Sequence, residues 1–192
     1  YDRWPTNASW LAMVEFTRQL PAAPEVITRL YDVDFQHVRQ RLEEDLVEGL
    51  DFALHVGQAP GSTRIQLESI GINVGGHSRQ LPDDFQPLAP EGPAAYQSGL
   101  PLARLAQVVR GAGIPAQVSY HAGTYLCNAT LYLAHHIIAE RKLSTKAAFV
   151  HLPLDISQVM EQEDMLPSLP AAQSAAALRL IVEHLCENGS AT

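Results

Sequence analysis

The sequence predicts an α/β fold, a single three-layer α/β/α domain over residues 1–192 with a central mixed, mostly parallel sheet. Three observations carry that expectation. Two short apolar runs, Phe52 to Val56 (FALHV) and Ala147 to Leu152 (AAFVHL), lack polar alternation, as strands buried on both faces do. Segments with helical periodicity fall between the strand-like ones, so the two types alternate along the chain. At 192 residues, with 46% hydrophobic and 18% charged, the chain is long enough for one core and too apolar for disorder.

Taken in order, Tyr1 to Ser9 reads as a loop, with Ser9 as the cap of a helix from Trp10 to Gln19 that Pro21 stops. Val26 to Tyr31 is a strand candidate. Asp34 to Glu48 is an amphipathic helix with Phe35, Val38, Leu42, Leu46 and Val47 on one side, closed by Gly49. FALHV then runs into Gly57-Gln58-Ala59-Pro60-Gly61, the kind of strand exit where open α/β sheets bind ligands. Arg64 to Val74 reads as one strand with Glu68 in its middle. Gly75 to Ser98, rich in Pro, Gly and Asp, is long for a structureless connection and so is expected to be functional or to cover something. A helix from Pro101 to Arg110, a strand from Pro115 to Tyr120, the strand at Ala147 to Leu152 and a last helix to Leu185 complete the chain.

Bulk properties narrow the function classes. A net charge of -8 disfavours nucleic acid or an anionic membrane as partner. No apolar run approaches the roughly 20 residues that span a bilayer, and no secretory leader is expected before Tyr1. The chain opens at Tyr1 without an initiator Met, so a preceding segment is expected. Two cysteines, Cys127 and Cys186, are too few for a disulfide framework, which suits a reducing compartment and a cytoplasmic location.

The most informative stretch is Ser119 to His136, SYHAGTYLCNATLYLAHH. Val118, Tyr120 and Ala122 alternate as in a strand, Gly123 permits a corner, and Leu131, Leu133, Ala134, Ile137 and Ile138 supply an apolar helical face. The turn therefore falls at Thr124 to Cys127, with a thiol at a helix start. There the unpaired amides and the positive end of the helix dipole favour a thiolate and can hold an oxyanion. His151, at the end of AAFVHL, and Glu68, beyond the loop that leaves FALHV, complete the parts of a thiol triad: nucleophile, proton carrier and orienting carboxylate. The residues alone leave other readings open. Cys127 can equally be a small buried hydrophobe, His151 a core imidazole, and Glu68 an ion-pair partner of Arg64. The remaining histidines singled out, His55, His121, His135, His136 and His184, have no metal-ligand spacing.

GQAPGSTRIQLESIGIN, AGIPAQVSYHAGTYLCNATLY and AAFVHLPLD resemble, in this order, the signature regions around Glu, Cys and His of the pyroglutamyl peptidase I (pyrrolidone-carboxylate peptidase) family. The resemblance extends through SGLPLARLAQVVRGAG, MLPSLPAAQSAAALRLIVEHL and the opening YDRWPTNASW, nearly the whole chain. It implies a cysteine-type omega-peptidase that removes N-terminal pyroglutamate from peptides. Cys127 would be the nucleophile, His151 the base and acid, and Glu68 its orienting partner. Tyr1 and Trp4 would stand where the family's loop phenylalanines sandwich the lactam ring, Asn7 and Gln58 would help shape that pocket, and Arg79 would stand in for an arginine beside the oxyanion. No metal or organic cofactor is expected, and homo-oligomers, tetramer or dimer, are. The chain departs from the pattern at Ser69, where the family carries Arg, and lacks the family's first strand. A second class, a relative that keeps the fold and binds a cyclic or amino-terminal ligand without turnover, is motivated by those departures.

Overall fold

The computed structural model describes residues 4–20, 23–77 and 79–189. Its elements are α1 (Ala8–Thr17), α2 (Phe35–Asp45), β1 (Phe52–Gln58), β2 (Ile65–Glu68), β3 (Ile70–Ile72), a 3₁₀ turn (Pro82–Asp84), β4 (Ala95–Gln97), α3 (Leu102–Gly111), β5 (Ala116–Ser119), α4 (Leu126–Arg141), β6 (Lys146–Leu152), α5 (Ile156–Val159) and α6 (Ala171–Gly189). The main sheet has the order β1-β6-β2-β5. β1 runs parallel to β6 and β2 parallel to β5, while β2 and β6 are antiparallel. The α/β class with a mixed, mostly parallel sheet and helices on both sides is therefore the observed one.

Side-chain parity along the strands builds the layers, because successive residues of a strand point to opposite faces. Ile65 and Leu67 of β2 and Ala148, Val150 and Leu152 of β6 share a core with Phe16 of α1, Leu105 and Val109 of α3 and Leu178 and Ile181 of α6. On the other face, Ala147 packs with Leu133 and Ile137 of α4 and with Val38 and Leu42 of α2, and Phe149 packs with Leu131 and Cys127. The parity that buries Leu67 and Val150 under α1, α3 and α6 therefore turns Glu68 and His151 toward α4.

Several expected elements differ. Val26 to Tyr31 is not a strand: among the described residues β1 pairs only with β6, and a segment without a ladder partner stays irregular, with Leu30 69% exposed. The single strand expected over Arg64 to Val74 breaks at Ser69. Ser69 N–H donates to Ser119 C=O at 2.7 Å and its own carbonyl accepts from Ser98 N–H at 2.8 Å, so the chain leaves the main sheet there and pairs Ile70 with Gln97 in a separate antiparallel ribbon. Glu68 thus ends a strand. The Gly75 to Ser98 connection is ordered by Asn73, whose amide donates to Ala89 C=O at 2.6 Å and accepts from Ala89 N–H at 2.9 Å, and it covers α4. Tyr132 of α4 donates to Pro93 C=O at 2.8 Å. Asn7, and not Ser9, caps α1 by accepting from Ser9 N–H at 2.9 Å. Among the described residues no helix is long and apolar enough to cross a membrane.

Asn128, fully buried in the first turn of α4, fastens that helix to the ribbon. Its Oδ1 accepts from Ile72 N–H at 2.9 Å, and its Nδ2 donates to Ile72 C=O at 2.9 Å and Val74 C=O at 2.8 Å. Asn128→Ala would take the side-chain partner from Ile72 N–H and Val74 C=O, while Ile72 C=O keeps Val74 N–H at 2.8 Å. It is expected to lower unfolding stability by about 2–4 kcal/mol, measured by urea denaturation.

Candidate active site

Cys127 is the second residue of α4. Gly123, at φ +80, turns the chain out of β5, and Tyr125 begins the helix without a side-chain cap. The amides of the first turn therefore have no intrahelical or side-chain acceptor from the cap, which makes the helix start a place for negative charge. The sulfur has room because position 57 is glycine. A Cβ there would stand 3.1 Å from Cys127 Sγ and 2.7 Å from Phe149 Cζ.

His151 and Glu68 meet diagonally across the antiparallel β2/β6 pair. Gln66 lies opposite His151 and Glu68 opposite Phe149, so the two residues are diagonal neighbours on one face. β2 and β6 run in opposite directions, so the two residues meet across the ladder and not at aligned strand ends. His151 Nδ1 is 2.7 Å from Glu68 Oε1, with both residues buried. Glu68 Oε2 is buried with no hydrogen-bond partner, and among the described residues no ion pair joins Glu68 to Arg64. Burial pulls the His151 imidazole down, but hydrogen bonding with Cys127 and with the accepting Glu68 carboxylate, together with their charges, outweighs it and raises the pKa from 6.5 to about 9. An imidazolium held between a carboxylate and a thiol can stabilise a thiolate and then deliver a proton.

The remaining expected residues are distributed around this group. Trp4 is buried. Tyr1 lies outside the described residues. Asn7 has its Oδ1 engaged by Ser9 N–H and, at 2.7 Å, by Ser9 Oγ–H, so its acceptor serves the helix start and not a ligand. Gln58, the last residue of β1, is buried, with Oε1 accepting from Ala8 N–H at 2.9 Å. Arg79 is exposed on a loop that Gly76 ties to Thr124 C=O at 2.9 Å. Cys186 sits on α6, in the opposite layer, where burial and the charge of Asp51 push its thiol up. Among the described residues no group of three or more His, Cys, Asp and Glu side chains is disposed to hold a metal ion. Reading the sequence missed Gly57 and Asn128. Their signals were a small residue just before Gln58 and an amide next to the thiol, and neither is interpretable until α4 is laid on the sheet.

The pyroglutamyl peptidase family matches residues 1–188. A pyrrolidone-carboxylate peptidase of Levilactobacillus brevis is 35% identical over 186 residues, covering 88% of each chain. One from Clavibacter michiganensis is 34% identical over 197 residues, covering 99% of this chain and 90% of the relative. Among solved structures, the pyrrolidone carboxyl peptidase of Fervidobacterium islandicum AW-1 superposes with a TM-score of 0.89 at 31% identity, covering 97% of this chain and 94% of that one. A family match over nearly the full length, on a chain with a thiol at a helix start and a buried imidazole–carboxylate pair on the same face of the sheet, leads to one conclusion: this chain belongs to the pyroglutamyl peptidase family of cysteine peptidases.

Proposed function

We propose that the chain hydrolyses the bond after an N-terminal pyroglutamate residue in peptides, with Cys127 as nucleophile, His151 as general acid and base, and Glu68 as orienting carboxylate. The observation that carries this reading is the buried 2.7 Å contact between His151 Nδ1 and Glu68 Oε1, with the imidazole pKa raised against its own burial to about 9 by the neighbouring Cys127 and Glu68. A protein that only bound its ligand would have no use for a buried ion pair aimed at a thiol.

In this reading the Cys127 thiolate attacks the pyroglutamyl acyl carbon. The oxyanion is met by the amides at the start of α4, with Arg79 beside it. The His151 imidazolium gives its proton to the leaving amine, leaving a thioester. Neutral His151 then takes a proton from water, whose oxygen attacks the thioester and returns the thiol. Tyr1, Trp4 and Gln58 shape the ring pocket, and Asn7 contributes by holding the start of α1. We also read residues 1–192 as one domain, since both helical layers share one sheet. The cytoplasm is favoured by two free cysteines, and a homo-oligomer, tetramer or dimer, by the family resemblance. The net charge of -8 argues against nucleic acid and anionic membrane partners.

Replacing Cys127 by Ser is expected to leave the fold intact by circular dichroism and to lower kcat for a fluorogenic pyroglutamyl amide by at least about a thousandfold. Cys186→Ser, remote from the group, should change kcat little; the opposite pattern would assign the wrong thiol.

The raised pKa of His151 sets a pH dependence. The imidazolium that protonates the amine is lost as pH rises through about 9, so kcat/KM should fall there. Glu68 is one of the groups that raise this pKa, so Glu68→Gln should move the alkaline limb to lower pH and cut kcat by roughly tenfold or more. Stability follows the same sign: the folded-state pKa is raised, so the contribution is complete below pH 6.5 and disappears as pH climbs through about 9. Urea midpoints of the wild type should fall across that window, and those of Glu68→Gln should fall less. An unmoved alkaline limb in the variant would remove Glu68 from the proposed mechanism.

A further inference from the structure

Phe149 stands at the centre of the residues that the strands bring together. It lies opposite Glu68 in the antiparallel β2/β6 pair, opposite His55 in the parallel β1/β6 pair, and two residues before His151 on the same face of β6. Its side chain is 3% exposed and packs with Ala122 and Leu131 against Cys127. The ring meets the His151 imidazole with centroids 4.8 Å apart and planes tilted by 57°. Its tip and the Cys127 sulfur close on one point: a Cβ at position 57 would stand 2.7 Å from Phe149 Cζ and 3.1 Å from Cys127 Sγ. A single aromatic ring thus meets the imidazole, packs against the thiol and is the direct cross-strand neighbour of the carboxylate.

The hydrogen bond to Glu68 holds His151 at one atom, Nδ1, and an imidazole held at one atom can still swing about that contact. A rigid aromatic packed against it removes that freedom. The thiol has a single rotor, and filled volume beside the sulfur limits the settings open to it. We propose that Phe149 is a positioning residue that holds the Cys127 thiol and the His151 imidazole at a fixed disposition to each other, with position 57 left bare so that the phenyl tip can reach the sulfur. For the reaction concerned it rests on the pyroglutamyl-peptidase reading above. Phe149 exchanges no proton and forms no bond, so its loss slows the chemical step and leaves substrate binding in place. A methyl group at position 57 would displace the phenyl tip, the sulfur or both, which makes Gly57 and Phe149 one device.

The test uses the full chain in a Cys186→Ser background. Alkylation of Cys127 by iodoacetamide is followed against pH, and turnover of a fluorogenic pyroglutamyl amide is expressed per alkylatable site. Phe149→Leu keeps the wall apolar and removes the phenyl tip. Phe149→Met nearly keeps the volume but replaces a rigid face by a flexible chain, and it covers the case in which the leucine variant does not fold. Either should lower kcat by about tenfold or more while KM changes less than about threefold. The alkylation profile should move to higher pH by about half a pH unit or more, because a thiol no longer held to the imidazolium loses the charge that favours thiolate. Gly57→Ala should cost less in kcat when added to Phe149→Leu, where its methyl group enters vacated volume, than it costs in the parent; equal costs overturn the proposal. A role confined to filling the core lowers the urea midpoint and the number of alkylatable sites without moving kcat per site or the profile, and that result in either folded variant also overturns it. A parent that alkylates at Cys127 and releases no fluorophore overturns the functional reading instead, and the alkylation profiles then decide by themselves whether Phe149 holds the thiol to the imidazole.

Discussion

The site depends on one buried carboxylate. Glu68 is fully inaccessible, and one of its oxygens reaches His151 Nδ1 at 2.7 Å while the other has no hydrogen-bond partner. An ionised carboxylate so placed is tolerable only against a positive charge. The neighbouring imidazole supplies that charge, and its pKa rises to about 9 against the opposing effect of its own burial. Geometry and protonation state are thus two aspects of one interaction. The hydrogen bond fixes the ring, and the carboxylate it meets favours the protonated ring.

The arrangement places demands on the backbone around it. Glu68 must be the last residue of β2, because at Ser69 the chain turns away to form the β3/β4 ribbon. That ribbon in turn holds α4, through the three hydrogen bonds of Asn128 to Ile72 and Val74. The thiol at the start of α4 and the carboxylate at the end of β2 are therefore located by the same few residues of chain. Gly57 completes the set from the β1 side by leaving the volume that Cys127 Sγ occupies. The long connection after β3, irregular in sequence, is pinned by Asn73 and packs over Tyr132, so it belongs to the same support.

Much of this was legible from residues alone. The unbroken apolar runs of β1 and β6 announce a sheet covered on both faces, and the glycine corner before an apolar helix announces a thiol at a helix start. Local pattern failed wherever a partner decided the outcome. Val26 to Tyr31 has the composition of a strand and no ladder to join. Arg64 to Val74 has the pattern of one strand, and its two halves pair with different neighbours, Ala116 to Ser119 and Ala95 to Gln97. Ser9 and Asn7 are both competent caps, and the start of the helix selected Asn7.

The sequence by itself determined the alternation of elements, the layered class and the chemical types that a thiol mechanism requires, because periodicity and residue chemistry are local properties. Which carboxylate serves which imidazole was decided only by tertiary structure. The antiparallel register of β2 against β6 sets Glu68 diagonal to His151, and strand parity turns both toward α4. A shift of that register by one residue would send one of the pair to the opposite face, and no local feature of either strand encodes the register.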